Sequence, residues 1–125
     1  MSGFARGGNY KALGRLPAGT MNRTEAAYAA HLELLRRSGD VLWWKFEGVK
    51  LRLAQNTFYT CDFMLLKRDG QVCMDEVKGF MQEDANVKIK VAASIYPFQF
   101  RIVRKTNKAG TMWGVTNVGP DEEAA

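Results

Sequence analysis

The chain has 125 residues, 46% of them hydrophobic, and its 18 basic and 13 acidic side chains give a net charge of +5. This length predicts one domain with one core. The sequence contains no run of about 18 apolar residues, so no membrane span is predicted. The N-terminal segment lacks the apolar stretch of a secretory signal. We therefore expect a cytoplasmic protein.

Charge and cysteine content narrow the class further. Without the three acids at 121–123 the net charge would be +8, which favours a polyanionic partner, above all nucleic acid, although many proteins of similar charge have none. Cys61 and Cys73 lack partners at zinc-ligand spacing, and His31 is the only histidine. We expect buried reduced thiols, no zinc site and a non-catalytic His31 at or near the surface.

Three segments are predicted. Residues 1–21 are rich in glycine and basic, without a periodic apolar pattern. They predict a flexible basic arm that either lies along phosphates or is simply a disordered terminus. Residues 22–116 predict the folded domain, and 117–125 an acidic tail.

The first predicted element is a helix over about 23–38. Asn22 suits the N-cap, Glu25 follows at capping-box spacing, and Gly39 suits the C-terminal end. Glu25 shares a face with Tyr28, so it begins the apolar stripe. Two roles stay open for Glu25: a capping-box partner, or a carboxylate that faces the sheet and completes a metal site.

Strands and a second helix follow. A strand is predicted over 41–47, a ribbon strand over 50–53, one long strand over 57–66, and an antiparallel strand over 71–78 after a two-residue turn at Asp69-Gly70. A helix is predicted over 84–96 with Asp84 as N-cap, then strands over 98–104 and 111–116. The fold class is therefore α/β (α+β), in the order αβββαβ with an extra C-terminal hairpin strand: a mixed central sheet flanked by helices.

The most informative residues are Asp62, Glu76 and Lys78. Glu76 and Lys78 are two apart on a strand and share a face. Asp62 lies seven residues before Asp69, and Glu76 lies six after Gly70, so the hairpin places Asp62 and Glu76 nearly opposite each other. Opposed carboxylates repel unless a cation lies between them, and a nearby ammonium can orient or deprotonate a water molecule.

A simpler interpretation also exists. Glu76 and Lys78 could form an ordinary surface ion pair, and Asp75, on the opposite face, could serve solubility. Against this, the strand after Asp62 (63–66) is apolar and predicts burial on both faces. An acid in that setting needs a partner.

Other basic and aromatic residues have two interpretations each. Lys88 shares a helix side with Val91, Ala92 and Ile95, and it either reaches a scissile phosphate or extends along the helix edge to solvent. Arg15, Lys105 and Lys108 are further predicted DNA contacts. Aromatic side chains in the first strands either pack in the core or form a dimer face; they are Trp43, Trp44, Phe46 and Tyr59.

The stretch Thr-Cys-Asp-Phe, a short hairpin and Glu-Val-Lys-Gly resemble the PD-(D/E)XK (restriction-endonuclease-like) nuclease superfamily, whose core is αβββαβ. Within it the chain is similar to small phage-encoded, resolvase-like members. The resemblance covers 22–103. Cys61 stands where the motif name has Pro, a position without a chemical task.

The resemblance implies a metal-dependent DNA endonuclease. Asp62, Glu76 and the Val77 carbonyl would bind Mg²⁺ or Mn²⁺, and Glu25 would bind the metal or position a ligating water. Lys78 would orient and activate the attacking water and steady the charge on the phosphate. A homodimer selective for branched or single-stranded DNA in a host cytoplasm is the implied setting.

Two alternatives stay open beside the nuclease. One is a non-catalytic module on the same fold that binds nucleic acid or protein. The other is a phage accessory protein that inhibits a host system by binding to it.

Overall fold

A computed structural model describes residues 19–82 and 86–119 as an α+β fold with a mixed five-stranded sheet, two helices and a separate two-stranded ribbon. Arg15, Asp84, most of the predicted arm and most of the acidic tail lie outside the described residues. The elements are α1 (Arg23–Ser38), β1 (Val41–Phe46), β2 (Lys50–Ala54), β3 (Thr57–Thr60), β4 (Phe63–Lys67), β5 (Val72–Lys78), α2 (Val87–Ile95), β6 (Gln99–Lys105) and β7 (Trp113–Val118).

The sheet has the strand order β1-β4-β5-β6-β7, and β2 pairs with β3 in the ribbon. Only the β5–β6 pair is parallel among the described strands. One face packs against α1 through Leu32 and Phe63, whereas the other packs against α2 and the ribbon through Met74 and Ile89. No helix among the described residues is long and apolar enough to cross a membrane.

The structure confirms the predicted helix α1. The interactions that start and end this helix involve only residues close in sequence, so the sequence could predict them. The Asn22 side chain accepts a hydrogen bond from the Glu25 N–H, and Glu25 Oε1 accepts one from the Asn22 N–H. Gly39 ends the helix with φ 90°, a conformation that glycine adopts without steric cost.

Contacts with the core extend beyond residues 22 and 116, the limits predicted for the folded domain. Met21 packs against the α1 side of the core, and the Gly19 N–H donates to Glu47. At the other end, β7 continues to Val118, which packs against the α2 side.

The prediction of a single strand over 57–66 is wrong, because Cys61 and Asp62 interrupt it and separate β3 from β4. Residues before the break pair with β2, whereas residues after it pair with β1 and β5. Cys61 packs on the α2 side and Phe63 on the α1 side. Residues two apart in a regular strand share a face, so the backbone rotates at Asp62 as it passes from the ribbon into the sheet.

The β4–β5 hairpin has a three-residue loop instead of the predicted two-residue turn. The Lys67 N–H donates to the Gln71 carbonyl at 2.9 Å, and Gly70 has φ 89°. The loop is therefore centred on Asp69, and Phe63 pairs with Asp75. Continuing this register by one residue places Asp62 opposite Glu76, as the sequence spacing predicts.

Helix α2 begins at Val87, and its N-cap is Asn86 instead of Asp84. Its buried residues are Ile89, Ala92 and Ala93. The predicted stripe of Lys88, Val91, Ala92 and Ile95 is therefore wrong except at Ala92, because the other three are exposed. The apolar spacing alone did not fix which side of this short helix faces the sheet.

Asp75 does not serve solubility, because its side chain is 0% exposed. Arg101 donates to both carboxylate oxygens, at 2.8 and 2.7 Å, and the Tyr28 hydroxyl donates to Oδ2 at 2.6 Å. These bonds tie α1, β5 and β6 together on the α1 face. Burial, followed by the Asp75 charge, raises the pKa of Tyr28, so the phenol remains a donor.

We expect Arg101→Met to lower the free energy of unfolding by about 3–5 kcal/mol, because it leaves the Asp75 carboxylate buried without its cation. Urea denaturation would measure the loss. Arg37→Met, at an exposed arginine of α1, is the control and should change stability by less than about 0.5 kcal/mol. Equal losses in the two variants would contradict a structural role for the Asp75–Arg101 pair.

Candidate active site

Asp62 is held on two sides at the point where the chain enters the sheet. Its carbonyl accepts a hydrogen bond from the Glu47 N–H at 2.8 Å, just after β1. Its carboxylate Oδ2 accepts one from the Val77 N–H of β5, also at 2.8 Å. The side chain is thus fixed against the strand that carries Glu76 and Lys78.

Glu76 lies on the α2 face of β5 and is 6% exposed. Its Oε1 accepts two hydrogen bonds, from the Tyr59 hydroxyl at 2.5 Å and from Asn86 Nδ2 at 2.6 Å. Burial and the Glu76 hydrogen bond raise the pKa of Tyr59, which keeps this phenol a donor.

The second oxygen of Glu76 has a different environment. Oε2 lies 3.0 Å from the Lys78 ammonium, yet it is buried and accepts no hydrogen bond. The two observations agree if the ammonium is close enough for charge attraction but is not directed at the oxygen lone pairs. Oε2 is therefore neutralised in charge but has unused acceptor capacity.

Asp62 sits among other acids. Burial, more than any other factor, raises its pKa to about 7; the Val77 N–H opposes the shift, and the charges of Glu25 and Glu76 add to it. Glu25 is thus close enough for its charge to act on Asp62. Of the two roles left open by the sequence, the capping-box role of Glu25 is confirmed, whereas its part in a metal site stays a prediction.

The donor set fits a hard divalent cation in part. Asp62 and Glu76 supply carboxylate oxygens, one of them without a hydrogen bond, and carboxylates are the ligands that Mg²⁺ and Mn²⁺ prefer. In residues 19–82 and 86–119, no group of three or more His, Cys, Asp and Glu side chains is placed to hold a metal ion. The remaining ligands would thus come from the main chain, substrate or water.

The predicted DNA contacts lie at different places around this site. Lys88 is exposed at the start of α2, and its ammonium donates to the Phe58 carbonyl at 3.0 Å. Lys105 ends β6 and is half-buried, whereas Lys108 is exposed in the β6–β7 loop.

The aromatic residues and cysteines have mixed positions. Trp43 is exposed, whereas Trp44 and Phe46 pack against Phe63. His31 is half-buried and stacks on Tyr28 in the α1 layer. Both cysteines are buried and free, as expected, and burial raises the pKa of Cys61 to about 12.

Sequence reasoning missed two residues of the site, Tyr59 and Asn86. Tyr59 is recognisable in the sequence only as one aromatic residue among several, and it comes from the ribbon. Asn86 carried a weak local signal, since asparagine is a favoured N-cap and it follows the motif strand by a few residues. Its Oδ1 caps α2 at the Lys88 N–H, while its Nδ2 binds Glu76.

The fold and site define a class: an α+β domain that places a half-buried carboxylate (Asp62), a buried one (Glu76) and a lysine at one end of a parallel strand pair. Comparison with known proteins adds no family to this description. No family model matches the chain, and neither a curated protein nor a solved structure is significantly similar to it.

We expect Asp62→Asn to stabilise the protein relative to wild type increasingly as pH rises from about 4 to 8 in EDTA. The folded-state pKa of Asp62, about 7, lies above its ordinary value, so the wild type must release a proton and bury a charge across this window and loses stability as pH rises. Asparagine keeps the acceptor for Val77 without the charge.

Thermal unfolding at several pH values would measure the difference, which should grow by several degrees. Asp69→Asn, on the exposed hairpin loop, is the control. A difference between Asp62→Asn and wild type that stays constant with pH would contradict the raised pKa.

Proposed function

We propose that this protein is a metal-dependent DNA endonuclease that hydrolyses phosphodiester bonds with an activated water molecule. The observation that carries the proposal is Glu76 Oε2: a buried carboxylate oxygen without a hydrogen bond, beside Lys78 and on the strand position opposite Asp62. The Lys78 ammonium compensates the charge of this oxygen at 3.0 Å, and a bound cation would use the acceptor capacity that no hydrogen bond fills.

Each residue has a defined task in this proposal. Asp62, Glu76 and the Val77 carbonyl would hold Mg²⁺ or Mn²⁺, which when bound supplies Lewis-acid polarisation of the scissile phosphate. The Lys78 ammonium orients the attacking water and steadies the negative charge that develops on the phosphate. Glu25, whose charge acts on Asp62, positions that carboxylate or a ligating water.

The neighbours of Glu76 support the same assignment. Tyr59 and Asn86 both donate to Oε1, so they fix the carboxylate orientation with Oε2 beside Lys78. Groups that orient a metal ligand in this way commonly change metal affinity 10- to 100-fold, as an order of magnitude.

The architecture supports a nuclease of the restriction-endonuclease-like type. With the β2–β3 ribbon taken as an insertion, the order is α1, three antiparallel strands, α2 and a strand parallel to the last of them. The basic composition suits DNA, and a single small domain favours recognition of DNA structure over sequence. A homodimer would present two sites to two strands.

We expect Asp62→Asn, Glu76→Gln and Lys78→Met each to lower the cleavage rate by about 100-fold or more, because each removes a charge that acts on the reacting phosphate or its metal. The measurement is cleavage of labelled linear duplex, single strand, flap and four-way junction with Mg²⁺, Mn²⁺ or EDTA. Lys90→Met, at an exposed lysine of α2, is the matched control and should retain activity.

Retained activity in any of the three variants would overturn the site assignment. A second outcome would favour the non-catalytic binding module: wild type binds DNA, cuts none of the substrates, and gains no thermal stability from Mn²⁺ or Mg²⁺. A true site should gain stability with metal in wild type but not in Glu76→Gln.

We expect Tyr59→Phe to weaken Mn²⁺ binding about 10-fold while retaining the fold, because it removes the hydroxyl that orients Glu76. Calorimetric titration of Mn²⁺ would measure the effect without relying on turnover. Tyr96→Phe is a close control, since the Tyr96 hydroxyl also makes one 2.5 Å bond, to the Arg52 carbonyl. Equal Mn²⁺ affinities in the two variants would sink the positioning role of Tyr59.

A further inference from the structure

A tight turn directly follows β5, the strand that carries Glu76 and Lys78. The Gln82 N–H donates to the Gly79 carbonyl at 3.2 Å, and the Gln82 side chain accepts from the Gly79 N–H at 2.8 Å. The Arg104 guanidinium donates to the carbonyls of Gly79 and Gln82. The turn is thus closed at its base, and Phe80 and Met81 form its tip.

One of the two residues at the tip has a backbone conformation that its side chain disfavours. Met81 has φ 68°, at the third position of a turn where glycine or asparagine is favoured. Phe80 is 40% exposed and Met81 is 80% exposed, and neither belongs to the core on either face of the sheet. Two large apolar side chains therefore stand in solvent on a braced turn, one of them at a strained position.

The tip borders an open depression of about 430 Å³, which we name the side pocket. It is lined by Phe80, Met81, Gln82, Arg104, Lys105 and Thr106. Among these described residues two are cationic and none is acidic. The described lining therefore combines an apolar wall with the Lys105 ammonium and with the Arg104 guanidinium, which is bonded to the turn.

The side pocket adjoins the candidate active site. Lys78 is the last residue of β5 and pairs in register with Arg104 of β6, and Phe80 is two residues beyond Lys78. A strand whose scissile phosphate lies at Lys78 would therefore have its neighbouring nucleotide at the tip of the turn.

From this placement we propose that the side pocket binds the base of an unpaired nucleotide next to the scissile phosphate, a proposal that rests on the proposed nuclease function. Phe80 stacks on the base, Met81 covers its edge, and Lys105 neutralises the adjoining phosphate. Aromatic stacking accepts any base, but only a base outside a duplex exposes its face. The substrate class is thus DNA with a single-stranded segment.

The test compares the binding of a short labelled oligothymidine with that of a blunt duplex of equal length. Fluorescence anisotropy measures both affinities, in EDTA so that no cleavage occurs. We expect Phe80→Ala to weaken single-strand binding roughly 5- to 100-fold, the usual effect of losing one base–aromatic stack, and to leave duplex binding unchanged. Phe80→Trp should restore the affinity. Leu34→Ala, at an exposed leucine of α1, is the control.

A second measurement locates the contact. Oligothymidine with one 5-iodouracil should photocross-link to Phe80 or Met81, as identified by mass spectrometry. Unchanged single-strand affinity in Phe80→Ala, or an equal loss for duplex, would overturn the side pocket. So would a change in oligomeric state without a change in DNA affinity, since the tip would then contact a second copy of the chain.

The two proposals fail separately. Metal-dependent cleavage by wild type together with normal single-strand binding by Phe80→Ala would retain the nuclease and refute the pocket. Selective loss of single-strand binding, without cleavage by wild type, would retain the pocket and refute the nuclease.

Discussion

The site depends on the two hydrogen bonds that fix Asp62 where the chain leaves the ribbon and enters the sheet. The Glu47 N–H holds its carbonyl, and the Val77 N–H holds its carboxylate. Because the backbone changes direction at Asp62, β3 lies over one face of the sheet instead of within it. This places the Tyr59 hydroxyl in contact with Glu76. The same junction therefore positions one acid directly and orients the other through the ribbon.

The sequence predicted correctly those elements whose ends and register depend on residues close together in the chain. The Asn22–Glu25 capping box set the start of α1, and the Asp69-Gly70 loop set the hairpin register closely enough to place Asp62 opposite Glu76. The break at Asp62 was not predictable in this way. Residues 57–66 favour strand apart from Asp62, and what divides them is the choice of partner strands distant in sequence, which propensity does not encode.

The site shows the same division. Glu76 and Lys78 follow from the two-residue period of a strand, whereas Tyr59 and Asn86 reach Glu76 from the ribbon and from the start of α2. Strand alternation also predicted Asp75 on the opposite face from Glu76, but it could not predict that Arg101 and Tyr28 bind Asp75 on that face. A strand pattern gives the direction of a side chain and leaves its partners to the tertiary structure.

Asp75 and Glu76 are adjacent buried acids with opposite patterns of hydrogen bonding. Asp75 has donors on both oxygens, so its charge is satisfied within the fold. Glu76 receives both of its donors on Oε1, and Oε2 faces an ammonium that makes no hydrogen bond with it. The Lys78 ammonium, 3.0 Å from Oε2, compensates the charge of Glu76 on that side. This one-sided arrangement of donors, absent at Asp75, is the observation on which the proposed metal site rests.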